Sequence, residues 1–245
     1  ACCLAGCGTD DSTNPADDAG TPLDPLSWSV LEPGQYACGH RQLTTTYTPP
    51  GDVGERTIPV HVWYPSMVAE GDQPKYSALF VDEHAWEDVP LAPSPWKGND
   101  GFPVLVHSHG HKGFAGNSAR LMCHLASHGW VAVAPEHVGN TLGDTPDVRP
   151  LALYYERPLD VRAALDFAAK PAAGDPLEGA LDLSRVAMSG HSFGTYTAWA
   201  VAGATFDKAA IQAACDAGGV ADCTPERMAV FETDLSEKRA KVVVP

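Results

Sequence analysis

Nowhere in these 245 residues does an apolar run extend far enough to cross a bilayer. Basic residues are scarce: 16 Lys and Arg stand against 31 Asp and Glu, a net charge of −15. A field of that sign repels a polyphosphate, which excludes a nucleic-acid partner; otherwise it speaks to solubility and not to substrate. Between residues 55 and 245 there is no low-complexity linker, and no internal repeat occurs. Once an N-terminal leader is set aside, about 220 residues remain, a length suited to one large domain. The last absence concerns histidine: all ten lie at or before position 191.

What is present alternates apolar strands with helices, the pattern of a mostly parallel sheet covered on both faces. Residues 103–107, 130–134, 185–189 and 240–244 read as apolar core strands, and 58–63 as an earlier, half-exposed antiparallel one. A helix is expected over 118–128, with Leu121 and Leu125 four apart and Gly129 as its stop. A second is expected over 157–170, with Pro158 in its first turn and Val161, Leu165 and Ala168 on one face. Two long loops are left, 66–101 with Phe80, Trp86 and Trp96, and 138–155. Loops at strand C-termini build the ligand crevice of an open α/β sheet, so one of these is expected to shape a pocket, unless their aromatics simply tuck onto the body.

The chemistry concentrates at Gly190-His191-Ser192-Phe193-Gly194. It follows the strand Val186-Ala187-Met188 and precedes a helix-forming stretch, 195–205, in which Ala198, Val201 and Ala202 read as the buried face. A strand, a tight glycine turn and a helix hold a serine in a strained conformation with its Oγ exposed, which makes Ser192 the candidate nucleophile. A second strand leads into His107-Ser108-His109-Gly110-His111-Lys112-Gly113. Here a glycine lets the backbone approach a substrate and the next residue supplies an N–H. That makes the main chains of His111 and Phe193 the candidate oxyanion hole.

With both elements in place the chain resembles the α/β-hydrolase family, and within it the branch of platelet-activating-factor acetylhydrolase-like and dienelactone-hydrolase-like esterases, with polyester hydrolases and cutinases as relatives. The resemblance rests on Val60-His61-Val62-Trp63-Tyr64-Pro65, Val106-His107-Ser108-His109-Gly110, residues 125–131, Ala134-Pro135-Glu136-His137 and the elbow, and spans roughly residues 55–205. Family members often carry a further glycine after the elbow where this chain has Thr195, which bears on how closely helix and sheet pack. The resemblance implies an α/β-hydrolase fold and a triad in the order Ser, acid, His. After Ser192 no acid directly follows an apolar strand and no histidine occurs, so the C-terminal strands, the triad acid and the histidine are expected outside this chain. His137 is the upstream alternative for the base; Glu136 and His137 could pair near the site, although a structural salt bridge or a core histidine is the commoner reading of such residues.

The chain begins at Ala1, and Leu4-Ala5-Gly6-Cys7 matches a lipoprotein cleavage box. Residues 1–25 therefore read as a signal-peptide remnant and flexible tether, with Cys7 as lipid anchor, and 26–245 as the hydrolase domain. The implied location is exported, with membrane contact only through the lipid. Setting aside Cys2, Cys3 and Cys7 leaves four cysteines, an even count that permits two disulfides. Cys215 and Cys223 bracket a turn-rich loop and are the favoured pair; Cys38 and Cys123 are the remainder, with Cys123 equally readable as a core thiol.

The expected function is hydrolysis of carboxylic esters through an acyl-enzyme on Ser192, on a small-molecule, lipid or polyester substrate, without cofactor or metal. Two rivals stand beside it. His107, His109 and His111 alternate, so on an extended segment they would face one side as metal ligands, although Gly110 and Gly113 argue for a turn. Alternatively the fold serves binding in a non-catalytic lipoprotein.

Overall fold

A computed structural model describes residues 24–76, 80–96 and 101–245; Cys7 lies outside them. The strands are β1 (Ala37–Tyr47), β2 (Arg56–Ser66), β3 (Lys75–Tyr76), β4 (Phe80–Val81), β5 (Ala85–Glu87), β6 (Phe102–Ser108), β7 (Val131–Pro135), β8 (Leu181–Gly190) and β9 (Ala240–Val244). The helices are α1 (Ala119–Ser127), α2 (Ala152–Ala169), α3 (Phe193–Val201), α4 (Lys208–Asp216) and α5 (Pro225–Val230). Seven strands form one sheet in the order β5-β1-β2-β7-β6-β8-β9, and β3 and β4 form a separate two-stranded flap. From β7 to β9 every pairing is parallel, while β2 is antiparallel to both β1 and β7.

The alternation of side chains across the sheet builds two cores. On one face Val62, Val104, Val106, Val131 and Val133 pack with Val161, Leu165 and Ala168 of α2 and Ala198 and Val201 of α3. On the other, Trp63, Leu105, Ala132 and Ala134 meet Met122 and Ala126 of α1. The expected mostly parallel sheet with helices on both faces is therefore what the chain forms.

Several details differ from expectation. β2 is covered on both faces from Ile58 onward, not half-exposed, because α1 packs over the side opposite α2. β1, Thr-rich and polar at alternate positions, gave no strand signal, yet it pairs with β2 along its whole length. β9 pairs in parallel with β8 as the outermost strand of the described sheet, with Ala240 and Val243 packed on the core and Val242 and Val244 exposed. Ala202 is exposed, since α3 ends at Val201.

The largest difference is in α2, which starts five residues before Arg157 and leaves Pro158 in its interior. Proline has no N–H to give the carbonyl four residues back, that of Tyr154. Tyr196 of α3 donates its hydroxyl to that carbonyl at 2.9 Å, which satisfies the group the proline orphans. Buried Leu151, Ala152, Leu153 and Tyr155 hold the extra turn in place.

The favoured disulfide, Cys215–Cys223, forms, and so does the remaining pair, Cys38–Cys123, so Cys123 is not a core thiol. Bonds of this kind persist in oxidising compartments and fit an exported chain. No described helix is long and apolar enough to cross a membrane.

Candidate active site

β8 ends at Gly190, α3 begins at Phe193, and Ser192 sits between them at φ 54°, ψ −115°. A non-glycine residue is strained there and holds that geometry only because its surroundings fix it. They do so by close approach. A Cβ on Gly190 would overlap the carbonyl of Gly194, and one on Gly194 would overlap the carbonyl of Ser108 at the end of β6. Gly194 thus supplies the tight helix–sheet contact, and Thr195 in place of a further glycine does not loosen it. The outcome is an exposed Ser192 whose Oγ has no hydrogen-bond partner among the described residues.

The loop after β6 lies against this elbow. A Cβ built on Gly110 would sit 3.3 Å from Cβ of Ser192. The Gly110 carbonyl accepts from Nδ1 of His109 at 2.8 Å and from the N–H of Gly113 at 3.1 Å. Carbonyl and following N–H point in opposite directions across a trans peptide, so these two bonds also fix where the His111 N–H points. Neither the His111 nor the Phe193 N–H has an acceptor among the described residues. Nε2 of His109 accepts from the main-chain N–H of His137 at 3.0 Å, which leaves the His109 proton on Nδ1. Burial, with His137 and Arg157 nearby, holds this imidazole well below the usual histidine range, so it stays neutral.

Beneath the loop lies a second constellation with the outline of a catalytic triad. Ser108 Oγ stands 2.8 Å from Nε2 of His137, whose Nδ1 is 2.9 Å from Oδ2 of Asp160. All three residues are fully buried. Asp160 also accepts from Tyr47 and from Nε and Nη2 of Arg56. The Ser108 oxygen accepts from Nη2 of Arg157 at 2.9 Å. Arg157 is itself fully buried, and its remaining bonds run to the His109 carbonyl, to Oδ1 of Asn140 at 2.6 Å and to Oγ1 of Thr197 at 2.9 Å. Its guanidinium lies 4.8 Å from the ring centre of Phe193. Burial lowers its pKa to about 9, so it remains charged at neutral pH. These contacts tie β6, the segment after β7, α2 and α3 together where they meet the elbow.

His137 is therefore a sealed structural group and not the base for Ser192. It does not pair with Glu136, whose Oε2 accepts the N–H of Ala115 at 2.8 Å. Burial pushes the Glu136 carboxyl up to about 7. The alternating histidines do not converge: His107 faces Ser189, His109 faces Gly110 and His137, and His111 faces Asn140. Among the described residues no three metal-binding side chains come together.

An apolar pocket of about 270 Å³ opens between Leu151, Tyr154, Tyr196, Phe206, Ile211 and Phe231. Tyr196 lies one helical turn from Ser192, and the Phe193 ring stacks on it at 5.2 Å. Of the two stretches expected as long loops, the second reaches the pocket through Leu151 and Tyr154, which form the N-cap and first turn of α2 and are not loop. In the first, Trp96 tucks onto the body, donating to the Gly129 carbonyl, and Phe80 stacks on Phe114.

Arg157, Asp160, Asn140 and Ser108 escaped sequence reasoning. One signal was available: Leu153, Arg157, Asp160, Val161 and Ala164 fall on one helical stripe, so two charges lie on the buried face of α2.

The chlorophyllase family profile matches residues 90–215, just over half of the chain and a span that includes both the loop after β6 and the elbow. Among solved structures, a ferulic acid esterase from Streptomyces cinnamoneus superposes with a TM-score of 0.54 at 24% identity, covering 69% of this chain and 56% of that one. The chain thus spans little more than half the length of that esterase. A hypothetical protein from Pseudomonas aeruginosa is more distant, with 18% identity, a TM-score of 0.39, and coverage of 66% of this chain and 38% of that one. No curated protein matches. With its parallel sheet, its covering helices and this match, the chain has the α/β-hydrolase fold and belongs to the chlorophyllase family.

Proposed function

We propose that this chain carries the nucleophile and oxyanion hole of a serine-type carboxylic ester hydrolase. The observation that carries the reading is the strained, exposed and unpartnered Ser192 at φ 54°, ψ −115°, with two free N–H groups, those of His111 and Phe193, in the segments beside it. Ser192 Oγ attacks the ester carbonyl carbon, its proton passes to a general base, and the oxyanion is held by the two N–H groups. The C–O bond to the alcohol breaks, the alcohol leaves with the proton, and water then releases the acid from the acyl-enzyme. None of the ten histidines hydrogen-bonds Ser192, so the base and its acid are assigned to residues outside this chain.

The substrate is an ester with an apolar portion, received by the pocket behind Tyr196 and Phe193. Family membership and the esterase neighbour support this class. The placing among platelet-activating-factor acetylhydrolase-like and dienelactone-hydrolase-like esterases remains our reading of the motifs. So do the single domain over 26–245 and export with a lipid on Cys7. The test is Ser192→Ala in the full-length protein. Ester turnover is expected to fall by about 10⁴-fold or more with thermal unfolding unchanged; turnover near the wild-type rate refutes the assignment.

A further inference from the structure

We propose that the imidazole of His111 also belongs to the site: its Nε2–H donates to a substrate oxygen beside Ser192, in a tautomer imposed by Asn140 and Arg157. The inference rests on the reading of Ser192 as the nucleophile and adds a side-chain donor to the two main-chain ones.

The chain of logic starts from a group with no choice. A guanidinium only donates, so the Asn140 atom 2.6 Å from Nη1 of Arg157 is the amide oxygen. That orients the Asn140 side chain and turns its NH₂ toward Nδ1 of His111, 2.7 Å away. An NH₂ only donates, so Nδ1 is the acceptor and the neutral ring carries its proton on Nε2. Arg157 is in turn held by the His109 carbonyl, Ser108 and Thr197, and cannot swing away without leaving a buried charge unpaired.

His111 is exposed, and its Nε2 has no partner among the described residues. Its ring meets the Phe193 ring edge-on at 6.2 Å, and its own main-chain N–H follows the glycine that abuts Ser192. An unspent N–H is thus fixed at the rim of the elbow, on the same residue that offers the main-chain donor. Asn140 and Arg157 act through His111 and are positioning residues.

The experiment measures steady-state hydrolysis of p-nitrophenyl acetate by the full-length protein and four variants, all of which keep the main-chain N–H groups. His111→Ala is expected to lower kcat by about 100-fold with KM little changed. His111→Gln, which restores a terminal NH₂ donor, is expected to recover most of that loss. Asn140→Asp replaces the donor with an acceptor, so the His111 proton moves to Nδ1, and kcat is expected to fall although the imidazole is still present. Ser192→Ala separates the two ideas. If it is inactive while His111→Ala turns over like wild type, the inference fails alone; if it remains active, the underlying reading fails. ¹⁵N spectra of the imidazoles give a readout independent of turnover and of variant folding. Wild-type His111 is expected to show a protonated Nε2 and a bare Nδ1, and a protonated Nδ1 overturns the proposal.

Discussion

Ser108 is the last residue of β6 and Ser192 lies two residues past the end of its parallel neighbour β8, yet their surroundings differ in each respect that nucleophilic chemistry depends on. Ser108 has the partners: an imidazole at 2.8 Å and, behind it, a carboxylate at 2.9 Å. It is fully buried, and a guanidinium occupies its oxygen. Ser192 has no such partner, but it is exposed and strained, and the His111 and Phe193 N–H groups in the segments beside it have no acceptor among the described residues. A triad drawn from distances alone would pick Ser108 and not the serine proposed as nucleophile. Ser108 is sealed from a substrate carbonyl, and the bond it accepts from Arg157 draws electron density away from its oxygen. Access and backbone strain are what the proposed nucleophile, Ser192, has and Ser108 lacks; the buried trio is a tether that ties the end of β6 to the segment after β7 and to α2.

That contrast can be broken at its charges first. Arg157→Ala removes the cation and takes one buried donor each from Ser108, Asn140, Thr197 and the His109 carbonyl, so it is expected to destabilise the fold by about 3–5 kcal/mol in denaturant titration. Unchanged stability contradicts the tether.

Glu136 sharpens the comparison from the rim. Burial raises its pKa to about 7. The folded state therefore binds more protons than the unfolded chain between the ordinary carboxylate range and 7, and stability falls as pH rises through that window. Glu136→Gln keeps an acceptor for the Ala115 N–H and removes the titration. Its stability relative to wild type is expected to rise by about 2–3 kcal/mol from about pH 4.5 to about pH 8. A difference that does not change with pH rejects the burial argument. Measuring the difference matters because other groups titrate in the opposite sense. Burial lowers His40 to about 3 and His61 and His107 to about 4. Their contribution is present above the ordinary histidine pKa and is lost as pH falls toward those values.

The smallest effect falls on Ser108 itself. Ser108→Ala is expected to cost about 1–2 kcal/mol in stability, since His137 and Arg157 each lose a partner, while kcat stays within a few-fold of wild type. A loss of turnover comparable to that of Ser192→Ala transfers the nucleophile to the buried site.

The sequence made the strained turn at Ser192 and the glycine turn after β6 legible because their signals are local. Two glycines around a serine, an apolar strand before it and a small-residue helix after it need no partner from elsewhere in the chain. The tether was not legible because its members mean nothing until the sheet order brings them together. Arg157 and Asp160 become neighbours of Ser108 and His137 only when α2 packs across β6 and β7. Pro158 misled for a similar reason. A proline inside a helix is tolerated only if the freed carbonyl finds a donor, and that donor, Tyr196, comes from α3, the helix that follows Ser192. β1 was missed because its Thr and Gly residues carry little apolar alternation, and its pairing with β2 decides its structure.

The most direct measurement is active-site labelling of the full-length protein with a serine-reactive fluorophosphonate, followed by peptide mass spectrometry. The account predicts one adduct, on the peptide containing Ser192, and none on Ser108. An adduct on Ser108, or an ester-cleaving protein that leaves Ser192 unlabelled, contradicts it.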